Sequence, residues 1–315
     1  MIILYIFALL LCILLIYRLY NTYTPNIPNT PNTPNIPNYI EQFENKDNED
    51  NKDNEDKIAF LFLTRNNLKR ADIWETFFKN NESRYSIYCH PKELDKVSDT
   101  LLKDNIISEH IATCWGCINL VEANIILMRN ALLNPNNKKF ILVSESCIPI
   151  VSFDVFYNII MQNDKSRIGI HKVNSSPERY EQIDNPNFQL NDFIKHSGSG
   201  CIFNRKHASM LVNSLPILDN WKTQIAPDEH YNGNILRVMD NDFDNNNDSI
   251  KTTFDIWQKK DLNMPIITNN DLQTDSYILL TKVSNNAIDN MRTNGFLLMR
   301  KIDSNTKFDA QYLNN

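Results

Sequence analysis

Three short segments carry side chains whose types and spacing could do chemistry. Phe140-Ile-Leu-Val-Ser-Glu-Ser-Cys-Ile-Pro149 is an apolar strand that runs into a polar corner, Ser144-Glu145-Ser146. A single carboxylate at such a corner cannot supply the oxygen cage that a divalent cation requires. An anion bound there must be met by protein cations, and the apolar run Phe296-Leu-Leu-Met299 ends in Arg300-Lys301, which could supply them. Ala226-Pro-Asp-Glu-His230 contributes Asp228 and Glu229, where a carboxylate can accept a proton or simply be a solvated charge at a helix entry. Two bland readings stand beside these: Arg300-Lys301 as a charged strand end, and Glu145 as a turn cap.

The elements that must position these groups can be read from the hydrophobic pattern. Ile58-Ala-Phe-Leu-Phe-Leu-Thr64 is a continuous apolar run of strand length, which suits a strand buried on both faces, and it ends in Arg65. Residues 71–78 read as a helix and Tyr85-Ser-Ile-Tyr-Cys89 as a second strand closed by His90-Pro91. A helix is expected over 95–103 and a longer one over 120–133, where Val121, Ile125, Met128 and Leu132 repeat at helical spacing; Phe140–Val143 is the next strand. Strands alternating with helices predict an α/β domain with a mixed, largely parallel central sheet flanked by helices, which binds ligands at the carboxyl ends of its strands. Thr64, Arg65, His90 and Glu145 all fall at such ends. None of the six glycines builds a Gly-x-Gly-x-x-Gly or phosphate-loop motif, so the dinucleotide and P-loop fingerprints are missing.

Composition narrows the class further. The chain has 315 residues, 42% of them hydrophobic, which is enough for one large core, and a formal charge of −6, which argues against a nucleic-acid partner. Residues 2–17 carry no charge, and the stretch 1–20 reads as a transmembrane signal-anchor rather than a cleaved leader, since it lacks a basic start and a small-residue cleavage site. Over 21–57 a Pro-Asn repeat and then an Asn-Lys-Asp-Asn-Glu-Asp repeat predict a disordered, solvated stalk, ~100 Å long if fully extended. The folded domain is expected over 58–303, with a C-terminal tail over 304–315. Outside the anchor five cysteines remain, an odd number that leaves the redox compartment open. Cys114-Trp-Gly-Cys117 has the spacing of a zinc or redox pair but no second pair, so a helix-entry corner is expected.

Several of these segments, in order, resemble one family. Ala59-Phe-Leu-Phe-Leu-Thr-Arg65, Ile73-Trp-Glu-Thr-Phe-Phe78, Tyr85-Ser-Ile-Tyr88, Phe140 to Ile150 and Pro227-Asp-Glu-His-Tyr231 are similar to the core-2/I-branching glycosyltransferases, most of all to the plant-type branch. The resemblance covers residues 58–301. It implies a GT-A-like fold without the metal-binding Asp-x-Asp, an inverting mechanism that needs no divalent cation or other cofactor, a UDP-sugar donor and a glycan or glycoprotein acceptor. N-Acetylglucosamine is the sugar implied by animal members, with xylose the alternative from related peptide xylosyltransferases. The anchor reading gives a single-pass membrane protein, of Golgi or ER type II orientation or of a virus-associated membrane.

Residue by residue, the resemblance makes Glu229 the general base and Lys301 the diphosphate-binding cation, assisted by Arg300 and by Lys259 of Asp255-Ile-Trp257-Gln-Lys259. Thr64, Arg65 and His90 are the expected nucleotide contacts. Glu145, Arg179, Tyr180, Lys195, Ser197, Gly198, Ser199 and Asp228 are the expected sugar contacts, the glycine letting a sugar approach the backbone. Trp115 and Trp257 are expected in the core rather than as sugar platforms. Asp240-Asn-Asp242-Phe-Asp244 imitates a metal motif but lies in Asn/Asp-rich surroundings and reads as a solvated loop. Rival readings are a catalytically idle glycan-binding or scaffold relative, a metal-dependent transferase using Asp242 and Asp244, and a structural surface protein.

Overall fold

The computed structural model describes residues 55–172, 193–255, 272–273 and 278–308. All belong to the second of two units into which the chain divides, Tyr39–Asn315. The expected anchor and nearly all of the expected stalk lie outside the described residues. Among those described, no helix is long and apolar enough to cross a membrane.

The first half follows the order β1 (Lys57–Thr64), α1 (Ala71–Phe78), β2 (Tyr85–Pro91), α2 (Asn119–Leu132), β3 (Asn137–Ser144), β4 (Cys147–Pro149) and α3 (Phe153–Met161). Then come β5 (Ser166–Arg167), β6 (Ile170–Lys172), β7 (Ile194–His196), β8 (Ile202–Asn204), α4 (Arg205–Asn213) and α5 (Tyr231–Met239). The chain continues through β9 (Asn247–Asp248), β10 (Thr253–Phe254), β11 (Leu272–Gln273), β12 (Ile278–Val283), α6 (Asn285–Thr293), β13 (Leu298–Arg300) and β14 (Ile302–Phe308). The main sheet has the order β2-β1-β3-β8-β5-β9. Its β2-β1-β3 half is parallel, β8 runs antiparallel to both β3 and β5, and β9 is again parallel to β5, so the sheet is mixed as expected.

The unbroken apolar run of β1 fits a strand covered on both sides. Ala59 and Leu61 face the cluster built with α2, α4 and α5, whereas Ile58, Phe60 and Phe62 face the one built with α1 and α3. All five are fully buried, and each of the larger side chains contributes ~1.5–3 kcal/mol of apolar burial. On the second face Trp74 packs edge-on against Phe60 and Phe62, and its Nε1 donates to Cys147 O at 2.9 Å, which fastens β4 to α1. A third cluster joins β4, β12, β13 and α6 through Ile148, Leu280, Ile288 and Met299.

Two expected boundaries change. The helix expected over 95–103 is broken into a 3-10 turn, Leu94–Lys96, and a short helix, Thr100–Lys103. Asn67 Oδ1 accepts the N–H groups of Ser98 and Asp99 at 2.7 and 3.0 Å, removing donors that a continuous helix would use. At the other end, the tail expected from residue 304 is in part a strand: β14 pairs in parallel with β12 and extends the folded region to Phe308.

Candidate active site

The registers of the parallel strands set three of the expected corners side by side. Leu63 lies opposite His90 on one side and Ser144 on the other, and Thr64 lies opposite Pro91. Thr64, His90 and the Ser144-Glu145-Ser146 corner therefore line one rim, at the carboxyl ends of β1, β2 and β3. Thr64 is buried, with its Oγ1 donating to Asn66 O at 2.9 Å. Arg65 projects to solvent and pairs with Glu93 at 3.2 Å.

His90 is fully buried and stacked on His110, with ring centroids 4.4 Å apart. Its Nε2 accepts the Ile111 N–H at 3.1 Å, which places the ring proton on Nδ1. That Nδ1 has no partner among the described residues. Burial, with the neighbouring His110, lowers the pKa of His90, so the ring is held neutral and offers one buried donor. His110 was not a sequence candidate, because only the tertiary contact relates two histidines twenty positions apart.

The C-terminal cations arrive at the Glu145 corner. Antiparallel pairing of β13 with β4 puts Arg300 opposite Cys147, and Ile302 N donates to Ser146 O at 3.2 Å. Arg300 Nε is a buried donor without an acceptor among the described residues. Lys301 has φ = +128°, a conformation that side-chain-bearing residues rarely adopt. Burial, then the adjacent Arg300 charge, pushes the Lys301 ammonium down to about 8, while Asp255 and Glu145 act in the opposite direction. Glu145 itself accepts the Lys69 N–H through its carbonyl at 2.9 Å.

Glu229 closes a 3-10 turn, Pro227–Glu229, directly ahead of α5. The turn is entered through Ala226 at φ = +50°, a left-handed position for a residue with a Cβ. Such backbone is held only where its surroundings over-determine it. Glu229 is not the solvated carboxylate of the bland reading: its side chain is 18% exposed, and Oε2 lies 3.0 Å from Lys195 Nζ on β7.

The turn Ser197-Gly198-Ser199-Gly200 links the two groups. A Cβ at Gly198 would lie 2.6 Å from Asp228 Oδ2, so the close approach this glycine permits is by the protein's own carboxylate, where a sugar was expected. Ser199 is buried with its Oγ 3.9 Å from Cys147 Sγ, the strand partner of Arg300. Two adjacent residues of this turn thus approach Asp228, the residue before Glu229, and Cys147, on the strand that pairs with Arg300. Lys259, Arg179 and Tyr180 lie outside the described residues, as does Trp257.

Three expectations fail on geometry. Trp115 is not in the core: it is 86% exposed. The Cys114–Cys117 pair is a disulfide at the approach to α2, where a plain helix-entry corner was expected. Asp240 is not a solvated loop residue but is buried, accepting from His207 Nε2 and Lys206 Nζ, each at 2.9 Å, and from Asn246. Among the described residues no group of three or more His, Cys, Asp or Glu side chains is placed to hold a metal ion.

A mixed α/β sheet with a polar rim at its parallel strand ends, a half-buried carboxylate and a cationic corner defines an α/β domain with a candidate ligand site. A family model described as Core-2/I-Branching enzyme matches residues 58–291, and the chain belongs to that family of glycosyltransferases. It is also 27% identical over 172 residues to glycosyltransferase BC10 of Oryza sativa subsp. japonica, an alignment covering 53% of this chain and 43% of the rice protein. The chain therefore spans less than half the length of this curated relative.

Proposed function

We propose that this protein is an inverting glycosyltransferase that moves a sugar from a UDP-sugar, UDP-N-acetylglucosamine first and UDP-xylose second, to a hydroxyl of a glycan or glycoprotein. The arrangement that carries the proposal is the Ser197–Gly200 turn, whose Gly198 abuts Asp228, next to Glu229, and whose Ser199 lies beside Cys147, the strand partner of Arg300. Inversion requires a base and a leaving-group site on opposite faces of the sugar. The acceptor oxygen forms its bond to the anomeric carbon on one face of the sugar, and its proton passes to Glu229. On the opposite face the bond to the diphosphate breaks, and the electron pair leaves with the diphosphate.

Negative charge developing on the leaving group is stabilised by cations already in position. Lys301 and the unpartnered Arg300 Nε suit that role, with Lys259 as the third cation of the proposal. Because a single carboxylate, Glu145, stands at the corner, with Lys301 as its neighbour, the proposed chemistry runs on protein cations and needs no divalent metal. The buried Nδ1–H of His90, with Thr64 and Arg65 on the same rim, suits the uridine.

The proposal includes a membrane anchor in residues 1–20 and a lumenal or exterior catalytic domain. The Cys114–Cys117 disulfide supports that side of a membrane, since such bonds persist in oxidising compartments. The direct test is a UDP-sugar panel with mixed glycan acceptors, read as UDP release with and without EDTA. Release that survives EDTA and falls at least about 100-fold in Glu229→Gln is expected. EDTA-sensitive release would move the chemistry to a metal, and unchanged release in the variant would remove Glu229 from it.

A further inference from the structure

We infer that Trp115 is a sugar-stacking platform for the acceptor glycan, presented at the edge of the site by the Cys114–Cys117 ring; this rests on the transferase reading above. The indole is 86% exposed, the most exposed of the large hydrophobic side chains among the described residues. A tryptophan is normally largely buried, whereas this one is left in water on a loop closed by a disulfide. Nothing crowds the position beside it, since Gly116 at φ = +72° has open space around its Cα.

The loop itself is anchored. Ile111 on one side and Ile118 on the other pack against the core cluster that contains α2, and the disulfide closes the four residues between Thr113 and Ile118. The chain then enters α2 through the hydrogen bonds Leu120 N to Cys117 O and Val121 N to Ile118 O. A platform held in this way loses little conformational freedom when a ligand settles on it.

Position selects the ligand. The loop follows β2 and leads into α2, and α2 packs against the turn that carries Glu229. Ile111, Ile118 and α2 share one core cluster with Tyr231, two residues beyond Glu229, while Leu298 and Met299 of β13, just ahead of the cations, belong to the other two clusters. Trp115 is therefore on the base's side of the domain. In an inverting transfer that is the acceptor's side, because the diphosphate departs from the opposite face. Ile225, half exposed just ahead of the same turn, adds apolar surface there. The C–H face of a pyranose ring is the apolar surface that an exposed indole can cover while the sugar hydroxyls stay in water.

Two measurements on the full chain test this. In the UDP-release assay, Trp115→Ala should raise the acceptor KM by about tenfold, with donor KM and acceptor-free donor hydrolysis unchanged, and Trp115→Phe should retain most of the affinity. On a printed glycan array, the glycans bound by the wild type should be lost by Trp115→Ala. An unchanged acceptor KM or an unchanged array pattern overturns the platform, as does a change in oligomeric state without a change in glycan binding, which would assign the indole to a second copy of the chain. If the wild type releases no UDP from any donor but Trp115→Ala still loses array binding, the transferase reading fails and the glycan platform stands.

Discussion

Lys195 Nζ and Glu229 Oε2 are 3.0 Å apart, one carried by β7 and the other by the 3-10 turn ahead of α5. The lysine is 41% exposed and the carboxylate 18% exposed, so the contact lies at the mouth of the site rather than in the core. Its worth to folding is accordingly small. Its consequence for a proton acceptor is larger, since the contact fixes the direction in which the carboxylate points.

Removing that cation should therefore impair transfer more than the fold. Lys195→Ala is expected to lower kcat at least about tenfold while Tm changes by little. Lys195→Arg should restore most of the activity. A Lys195→Ala kcat equal to that of the wild type would show that the pair has no bearing on Glu229.

Lys301 makes a pH prediction. Its pKa is depressed to about 8, so the free enzyme holds the ammonium below that pH and loses it above. Donor KM should rise as pH passes through about 8, with acceptor KM flat. Lys301→Arg keeps its charge throughout this range and should remove the alkaline rise. A donor KM independent of pH between 7 and 9.5 in the wild type would place the diphosphate elsewhere.

Acid stability should be governed by a buried group remote from the chemistry. The Asp240 carboxylate can only accept, so His207 donates its Nε2–H to it, and in the neutral ring Nδ1 then accepts the Ser166 Oγ–H at 2.6 Å, while Ser166 Oγ accepts the Asn204 N–H. Burial lowers the pKa of His207 despite Asp240. Burial alone would raise Asp240, but the hydrogen bonds from His207, Asn246 and Lys206 outweigh it and hold the carboxyl below its usual range. Both shifts give stability at neutral pH that is lost in acid. The histidine must take up a proton as pH falls below ~6.5, and the carboxylate contribution goes as pH falls below ~3.9. Asp240→Asn should cost about 3 kcal/mol at pH 7, read as Tm by differential scanning fluorimetry, and flatten the acid limb. Equal Tm values at pH 7 would show that the buried network contributes nothing.

Much of the scaffold was legible in the chain because it depends on local pattern. The run 58–64 could only be a strand covered on both faces, the repeat through Val121, Ile125, Met128 and Leu132 could only be an amphipathic helix, and the corner at 144–146 follows from an apolar strand meeting polar residues. Glu229 and Lys301 were legible as candidates because their motifs are short and contiguous. The broken helix after β2 was not, because Asn67, some thirty positions away, takes the N–H groups that a helix there would need.

What the amino-acid order could not determine is which distant groups meet. Hydropathy counted Trp115 as core material, yet a local disulfide ring and anchors at Ile111 and Ile118 turn it to solvent. It counted Asp240 as a loop charge, yet His207 and Lys206 from α4 draw it inside. The pairing of Lys195 with Glu229, the stacking of His110 on His90 and the arrival of Lys301 at the Glu145 corner all arise between segments separated by tens to more than a hundred residues. Periodicity reports which face of an element is apolar. Only packing of those faces, through strand register and the space a glycine such as Gly198 leaves open, decides which polar groups share a site.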